Sequence, residues 1–260
     1  MNRIRNLALL EGRPKICVPV FGKTADEIRK SAESARQVSY DLIEWRMDYL
    51  EDLETWPSVL RMLRQVFPDA PLLATLRTRE EGGQAEMDDA SYFSLLRRLV
   101  QSHEADAVDV EYFHTVSFRR ELMKEAAEAG VAVIVSVHDF ERTPERGDME
   151  ALLEAMAETG GIPKLAVMPH SFEDVLSLLG AAAAVKDRYP KTPLIAMGMG
   201  DVGVITRVCG EFSGSRVTFG TAAASSAPGQ LPAGTLAMII EALHREPVVK
   251  DSDEFASDPS

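Results

Sequence analysis

The chain has 260 residues, 45% of them hydrophobic, enough for one sizeable core, and α/β barrels routinely use about this length as a single domain. Its formal net charge of −13 argues against a nucleic-acid or anionic-membrane partner, since both need a basic face, while a small anionic substrate answers only to local charge. The two cysteines, Cys17 and Cys209, lie in apolar surroundings without metal-like spacing, no apolar run approaches membrane-spanning length, and no signal-like N-terminal segment stands out; the expectation is a reduced, cytoplasmic protein.

In chain order, a short apolar patch over 7–10, ahead of Gly12, predicts a strand or hairpin closing one end of the domain. From Lys15 onward, short β-branched runs alternate with longer helical patterns, the signature of βαβ units around a parallel sheet. The expected strands are 16–20, 42–47, 72–76, 107–111, 131–137, 164–168, 194–199 and 217–219. Helical patterns include 25–38, 90–102, 118–129, 150–159, 173–189 and 235–244. Eight such units fill the chain, as a (β/α)8 barrel of residues 1–249 requires, and the acidic segment 250–260 is expected to be a disordered tail. The repeat is architectural; the letters show no convincing self-similarity.

The stretch GGIPKLAVMP, 160–169, places Lys164 at the head of an apolar run, behind a turn expected from Gly160, Gly161 and Pro163. Burial disfavours the ammonium and so favours an amine able to attack a carbonyl. The ordinary alternative is a lysine at a strand mouth with its stem buried and its head in water. What favours the amine is the company Lys164 keeps. Alternation along a strand puts Glu44, Arg46 and Asp48 on one face of LIEWRMD, which is costly unless they pair or meet a ligand. The same parity groups Thr75 with Arg77, Asp109 with Glu111, and Ser136 with His138, each pair near the C-terminal end of its strand, where barrel enzymes build their sites. Lys164 precedes its apolar run and is expected deeper in the barrel. His138, with an ordinary pKa near 6.5, suits proton transfer in both directions. The other histidines, His114 among them, read as peripheral.

Two further patterns match known site types only in part. GMGDVG, 198–203, matches a dinucleotide fingerprint but lacks the acidic residue about twenty positions on. Asp109, Glu111 and His114 have the residue types of a metal site, but a strand continuing in line would send His114 away from the carboxylates. Near the C-terminus, 225–234 is rich in small residues, proline and glycine, as suits a loop over the barrel mouth, where Ser226 and Gln230 can hydrogen-bond on closing. Arg207 adds a third guanidinium to Arg46 and Arg77, shaped for two-point contact with a carboxylate.

With these residues in place, the chain resembles the type I 3-dehydroquinate dehydratase family, the Schiff-base enzymes of the shikimate pathway. The resemblance runs through PKICVPVFG, EWRMD, TLRTREEGG, VDVEYF, SVHDF, PKLAVMP, GVITR and FGTAAASSAPGQ, in the family's order and over nearly the whole chain. It implies that Lys164 forms the imine with the substrate ketone, that His138 is the general acid and base, and that Glu81 orients the histidine. It implies further that Glu44, Arg46 and Arg77 hold the substrate hydroxyls, and that Arg207, Ser226 and Gln230 hold its carboxylate side and the closing loop. The reaction so implied converts 3-dehydroquinate to 3-dehydroshikimate with no metal or organic cofactor, in a homodimer. The chain departs from the family at Pro19, where a substrate-contacting serine is common, and at Ala223, where some members carry a lysine. The competing readings are another lysine-imine barrel such as an aldolase, which should show a late phosphate-binding glycine turn, and a non-catalytic sensor on the same fold, which has no need of both Lys164 and His138.

Overall fold

The computed structural model describes residues 2–223 and 226–244. The tail expected over 250–260, the end of the expected domain after residue 244, and Ser225 of the loop lie outside the described residues.

A hairpin opens the chain: β1 (Arg3–Ile4) and β2 (Leu7–Ala8) pair antiparallel. There follow β3 (Lys15–Val20), α1 (Ala25–Ala35), β4 (Leu42–Arg46), α2 (Trp56–Val66), β5 (Leu72–Thr75), α3 (Asp89–Ser102) and β6 (Ala107–Glu111). The second half contains α4 (Val116–Ala129), β7 (Ala132–His138), α5 (Arg146–Glu158), β8 (Ile162–Val167), α6 (Phe172–Arg188) and β9 (Ile195–Gly198). It ends with two single-turn helices, α7 (Gly200–Gly203) and α8 (Gly210–Ser213), then β10 (Val217–Thr221), β11 (Leu231–Pro232) and α9 (Ala233–Leu243).

The strands β3 to β9 pair in sequence order, all parallel, with β10 beside β3 and β11 on the outer edge of β10. Between β9 and β10 the wall closes, among the described residues, through one bridge, Leu194 to Ser215, where the Arg216 amide donates to the Leu194 carbonyl at 2.8 Å. This is the eight-stranded α/β barrel expected, with element ends shifted by a few residues. Two expectations are corrected. Helix α2, amphipathic around Val59, Leu60 and Leu63, was not among the expected helices. And β8 begins at Ile162, so Pro163 lies inside the strand, in register with Val135, rather than in a turn before Lys164.

The alternation of strand faces explains the two cores. Outward residues such as Val18, Ile43, Trp45, Val108, Val135 and Leu165 pack on helix residues including Ile28, Leu60, Leu96, Leu122, Leu153 and Leu178. Helix capping fixes how the helices meet that layer. Thr24 accepts from the Glu27 amide at the start of α1, while Ser171 and Asp174 form a reciprocal capping box on α6. The inner core is smaller: Leu42, Leu73, Ala107, Ile162 and Val217, near the N-terminal ends of their strands, cluster with Ile4 and Leu9 of the hairpin region, both fully buried. The hairpin therefore plugs one end of the barrel, as the sequence predicted, and leaves the other end for polar side chains.

Candidate active site

The third residue of β8 is Lys164, which points into the barrel between Ser136 of β7 and Ile195 of β9 in register. Its side chain is 5% exposed. Nζ lies 3.2 Å from Asp109 Oδ2 and 4.7 Å over the centre of the Phe219 ring. Aligned strand spacing and rise put the His138 Cα roughly 8 Å from that of Lys164, one inward position nearer the C-terminal mouth. Both residues line one cavity at the mouth.

Arg77 organises the floor beneath them. Its Nη1 donates to Glu81 at 3.1 Å, Glu111 at 3.0 Å and Ser136 at 2.9 Å, and its Nη2 donates to Asp109 at 2.7 Å. Ser136 in turn donates to Asp109 at 2.6 Å. Burial alone would raise the Asp109 carboxyl, but Arg77 and then Lys164 outweigh it and hold it below the usual carboxylate range. Across the cavity Thr75 donates to Glu44 at 2.8 Å, and Arg46 makes a two-point pair with Asp48, both bonds 2.8 Å. The face-sharing expected of Glu44, Arg46 and Asp48 is thus realised as pairing, although β4 ends at Arg46 and Asp48 sits in a following 3-10 turn.

His138 Nδ1 lies 2.9 Å from Glu81 Oε2. Burial pushes the Glu81 carboxyl up to about 8, against the pull of Arg77 and with help from the negative charges of Glu111 and Asp109. Burial also pushes His138 well below its ordinary value, aided by the nearby charges of Arg77, Lys164 and Arg46. At neutral pH the imidazole is therefore uncharged. Gly82 lets the segment bearing Glu81 come this close: it takes φ +78°, and a Cβ there would lie 2.3 Å from the Phe140 ring.

On the opposite wall Arg207, 2% exposed, donates to the Pro228 carbonyl at 2.9 Å and approaches Met197 Sδ at 3.7 Å. Among the described residues it meets no carboxylate, its Nε has no partner, and burial pushes it down to about 10. Ser226 and Gln230 face each other across the loop, the Ser226 amide donating to Gln230 Oε1 at 3.0 Å and Gln230 Nε2 donating to Ser226 Oγ at 3.1 Å.

All nine residues singled out from the sequence, Lys164, His138, Glu81, Glu44, Arg46, Arg77, Arg207, Ser226 and Gln230, line this one cavity. Pro19 is buried in β3 opposite Glu44 and is not among the lining residues, and Ala223 is exposed just after β10. The sequence reading missed Asp109 as the partner of Lys164, although its face was identified, and it missed the apolar walls Phe140, Met197, Met199 and Phe219. Aromatic and methionine side chains carry no signal that separates a cavity wall from a core. The reading of His114 is corrected. The chain turns sharply after Glu111, and His114 folds back with Nε2 3.0 Å from Glu111 Oε2, so it is neither peripheral nor sent away from that carboxylate. The GMGDVG stretch forms the end of β9 and the single turn α7, far shorter than the helix that cradles a dinucleotide.

A parallel α/β barrel with a buried lysine, a histidine and converging guanidinium groups at its C-terminal mouth is the architecture of a barrel enzyme. The signature of the family described as type I 3-dehydroquinase matches residues 16–247, and the chain belongs to that family. It is 42% identical to the 3-dehydroquinate dehydratase of Syntrophotalea carbinolica over 248 residues, covering 94% of this chain and 98% of the relative. Among solved structures, the type I 3-dehydroquinate dehydratase of Clostridium difficile, determined with covalently modified comenic acid, is 38% identical with a TM-score of 0.89, covering 94% of this chain and 98% of that one. The Enterococcus faecalis enzyme gives 32% identity and a TM-score of 0.86, covering 93% and 99%.

Proposed function

We propose that the chain dehydrates 3-dehydroquinate to 3-dehydroshikimate, the third step of the shikimate pathway, through an imine on Lys164. The observation that carries this reading is the convergence of Lys164 and an uncharged His138 on one cavity, with Arg207, which meets no carboxylate among the described residues, on its far wall.

Lys164 Nζ, as the amine, adds to the substrate ketone, and loss of the carbonyl oxygen as water leaves an iminium. The iminium is a stronger electron sink than the ketone, so the adjacent carbon becomes acidic and His138 removes its proton to give an enamine. The enamine electrons then expel the β-hydroxyl, which leaves as water with the proton held by His138. Addition of water to the remaining conjugated iminium releases the enone and restores the amine. The sum is substrate to product plus one water, and no step calls for a metal or organic cofactor.

Each remaining residue has a role that its surroundings support. Asp109 aims the amine. Glu81 orients the imidazole through Nδ1 and leaves Nε2 for the substrate. Glu44, Arg46 and Arg77 present donors and acceptors to the ring hydroxyls, and Arg207 takes the carboxylate, whose arrival supplies a counter-charge that no carboxylate among the described residues gives it. Ser226 and Gln230, already bonded to each other, close the loop over that carboxylate. Residues 1–249 form the catalytic unit of a cytoplasmic homodimer. Among the described residues no helix is long and apolar enough to cross a membrane.

The test pairs turnover with trapping. Wild-type protein should produce the ultraviolet absorbance of the conjugated enone, Lys164→Ala should lose several orders of magnitude in kcat, and borohydride should fix substrate on Lys164. A wild-type enzyme that turns over without any adduct at Lys164 overturns the imine mechanism. A protein that binds substrate without turnover overturns the enzymatic reading in favour of a sensor.

A further inference from the structure

Behind the cavity floor, His114 occupies a place built for a cation. Its Nδ1 lies 2.7 Å from Asp89 Oδ1, on the first residue of α3, and its Nε2 lies 3.0 Å from Glu111 Oε2 at the end of β6. The ring stacks on Tyr92 with centroids 4.3 Å apart and meets Phe93 edge-on at 5.9 Å. Its side chain is 12% exposed and that of Glu111 only 3%. With a carboxylate at each ring nitrogen, only the doubly protonated ring donates to both. Burial works against that charge, but the hydrogen bonds that the ring donates to Glu111 and Asp89 outweigh it and raise the ring above its ordinary value.

Glu111 passes this contact on to the site. Its Oε1 accepts from the Thr78 amide at 2.8 Å and from Arg77 at 3.0 Å, and its Oε2 accepts from the Thr78 hydroxyl at 2.7 Å. Thr78 then anchors the segment that carries Glu81, its carbonyl accepting from the amides of Glu81 at 3.2 Å and Gly83 at 2.7 Å. The path from His114 to the Glu81–His138 pair thus runs through two side chains and one turn.

We propose that His114 is a positioning residue for the dehydration: as an imidazolium it balances Glu111, so that Arg77 stays shared between Glu111 and Glu81, and Glu81 stays seated on His138. This rests on the reading of Lys164 and His138 given above. Without the imidazolium, Glu111 draws Arg77 toward itself and the potential at His138 becomes more negative, so His138 takes up a proton at a higher pH. The titratable groups facing His114 are Asp89 and Tyr92 from α3 and Glu111 from β6, with Arg77 and Glu81 behind Glu111; from the α4 side Thr115 donates through its amide to Asp89 at 2.7 Å.

The test is the pH profile of kcat/KM for the wild type, His114→Gln and His114→Ala. Glutamine keeps a donor near Glu111 and much of the ring's volume but not its charge. Both variants should show the acid limb displaced upward by about half a unit or more, with kcat reduced about tenfold. A fall in rate with an unmoved limb means that His114 only supports the fold and overturns the proposal, as does an unchanged profile. Should both variants fail to fold, nitrogen NMR of the unaltered enzyme decides: the ring identified by its contacts to Tyr92 must carry both protons at pH 7, and a singly protonated ring overturns the proposal. Borohydride trapping on Lys164 in the unaltered enzyme tests the underlying reading separately.

Discussion

Glu81 Oε2 stands between the Arg77 guanidinium and the His138 imidazole, and the balance of those contacts sets when the carboxyl ionises. Its folded pKa of about 8 lies above the ordinary value near 4.5, so the folded protein holds a proton there that the unfolded chain releases. The associated stability is fully present below about pH 4.5 and is lost as pH rises through about 8. His138 acts in the opposite sense: its folded value is depressed, so its contribution is present above about 6.5 and fades as pH falls. Glu81→Gln cannot ionise. Its melting temperature should therefore gain on the wild type between about pH 5 and pH 8 and level off above that, as calorimetry from pH 5 to pH 9 will show; a difference constant with pH would mean that Glu81 is already ionised in the fold. At this scale the sequence was legible wherever strand alternation applied: Glu44, Arg77, Asp109, Ser136 and His138 all face inward as their parity required. It was illegible where a contact joins two strands or a turn. Asp109 meets Lys164 from 55 positions away, and His114 doubles back at a bend that the run VDVEYF does not announce.

The N-terminal hairpin, two residues to a strand, serves as a plug. Leu9, just past β2, is fully buried and its amide donates to the Asn2 carbonyl at 3.0 Å, tying the plug shut. Truncating it leaves a void among side chains already fixed by eight strands, so Leu9→Ala should cost about 2–5 kcal/mol of stability. The site lies at the other end of the barrel, so kcat per folded molecule should stay within about twofold of the wild type. Denaturant titration and a rate normalised to folded protein check both halves. The hairpin was legible because a short apolar patch before a glycine has few other uses. Helix α2 was not, because its apolar positions are interrupted by Arg61 and Arg64, and Pro57 at its start reads equally well as a loop. Pro163 misled for a related reason: proline next to glycines usually marks a turn, yet here it keeps extended backbone within β8.

For the molecule as a whole, the order of strands followed from counting βαβ units, whereas the evenness of the wall could not be read from any single segment. Most neighbouring strands are joined by ladders three to five residues long, such as Ala107–Glu111 of β6 on Ala132–Ser136 of β7. The junction of β9 and β10 is different: among the described residues it rests on the Leu194–Ser215 bridge, helped by the Ser215 hydroxyl accepting from the Ala196 amide at 3.0 Å. Both strands flank the cavity, one with Met197 and the other with Phe219, and Arg207 hangs on the connection between them. Local opening free energies follow the density of protecting bonds, so the amide of Arg216 should exchange with deuterium well ahead of those in the middle of β6 and β7, and substrate should slow it. Equal protection around the ring would show the wall to be uniform in solution. A cylinder fastened unevenly in this way has one preferred line along which to gape, and that line runs between Met197 and Phe219, beside the buried cation of Arg207.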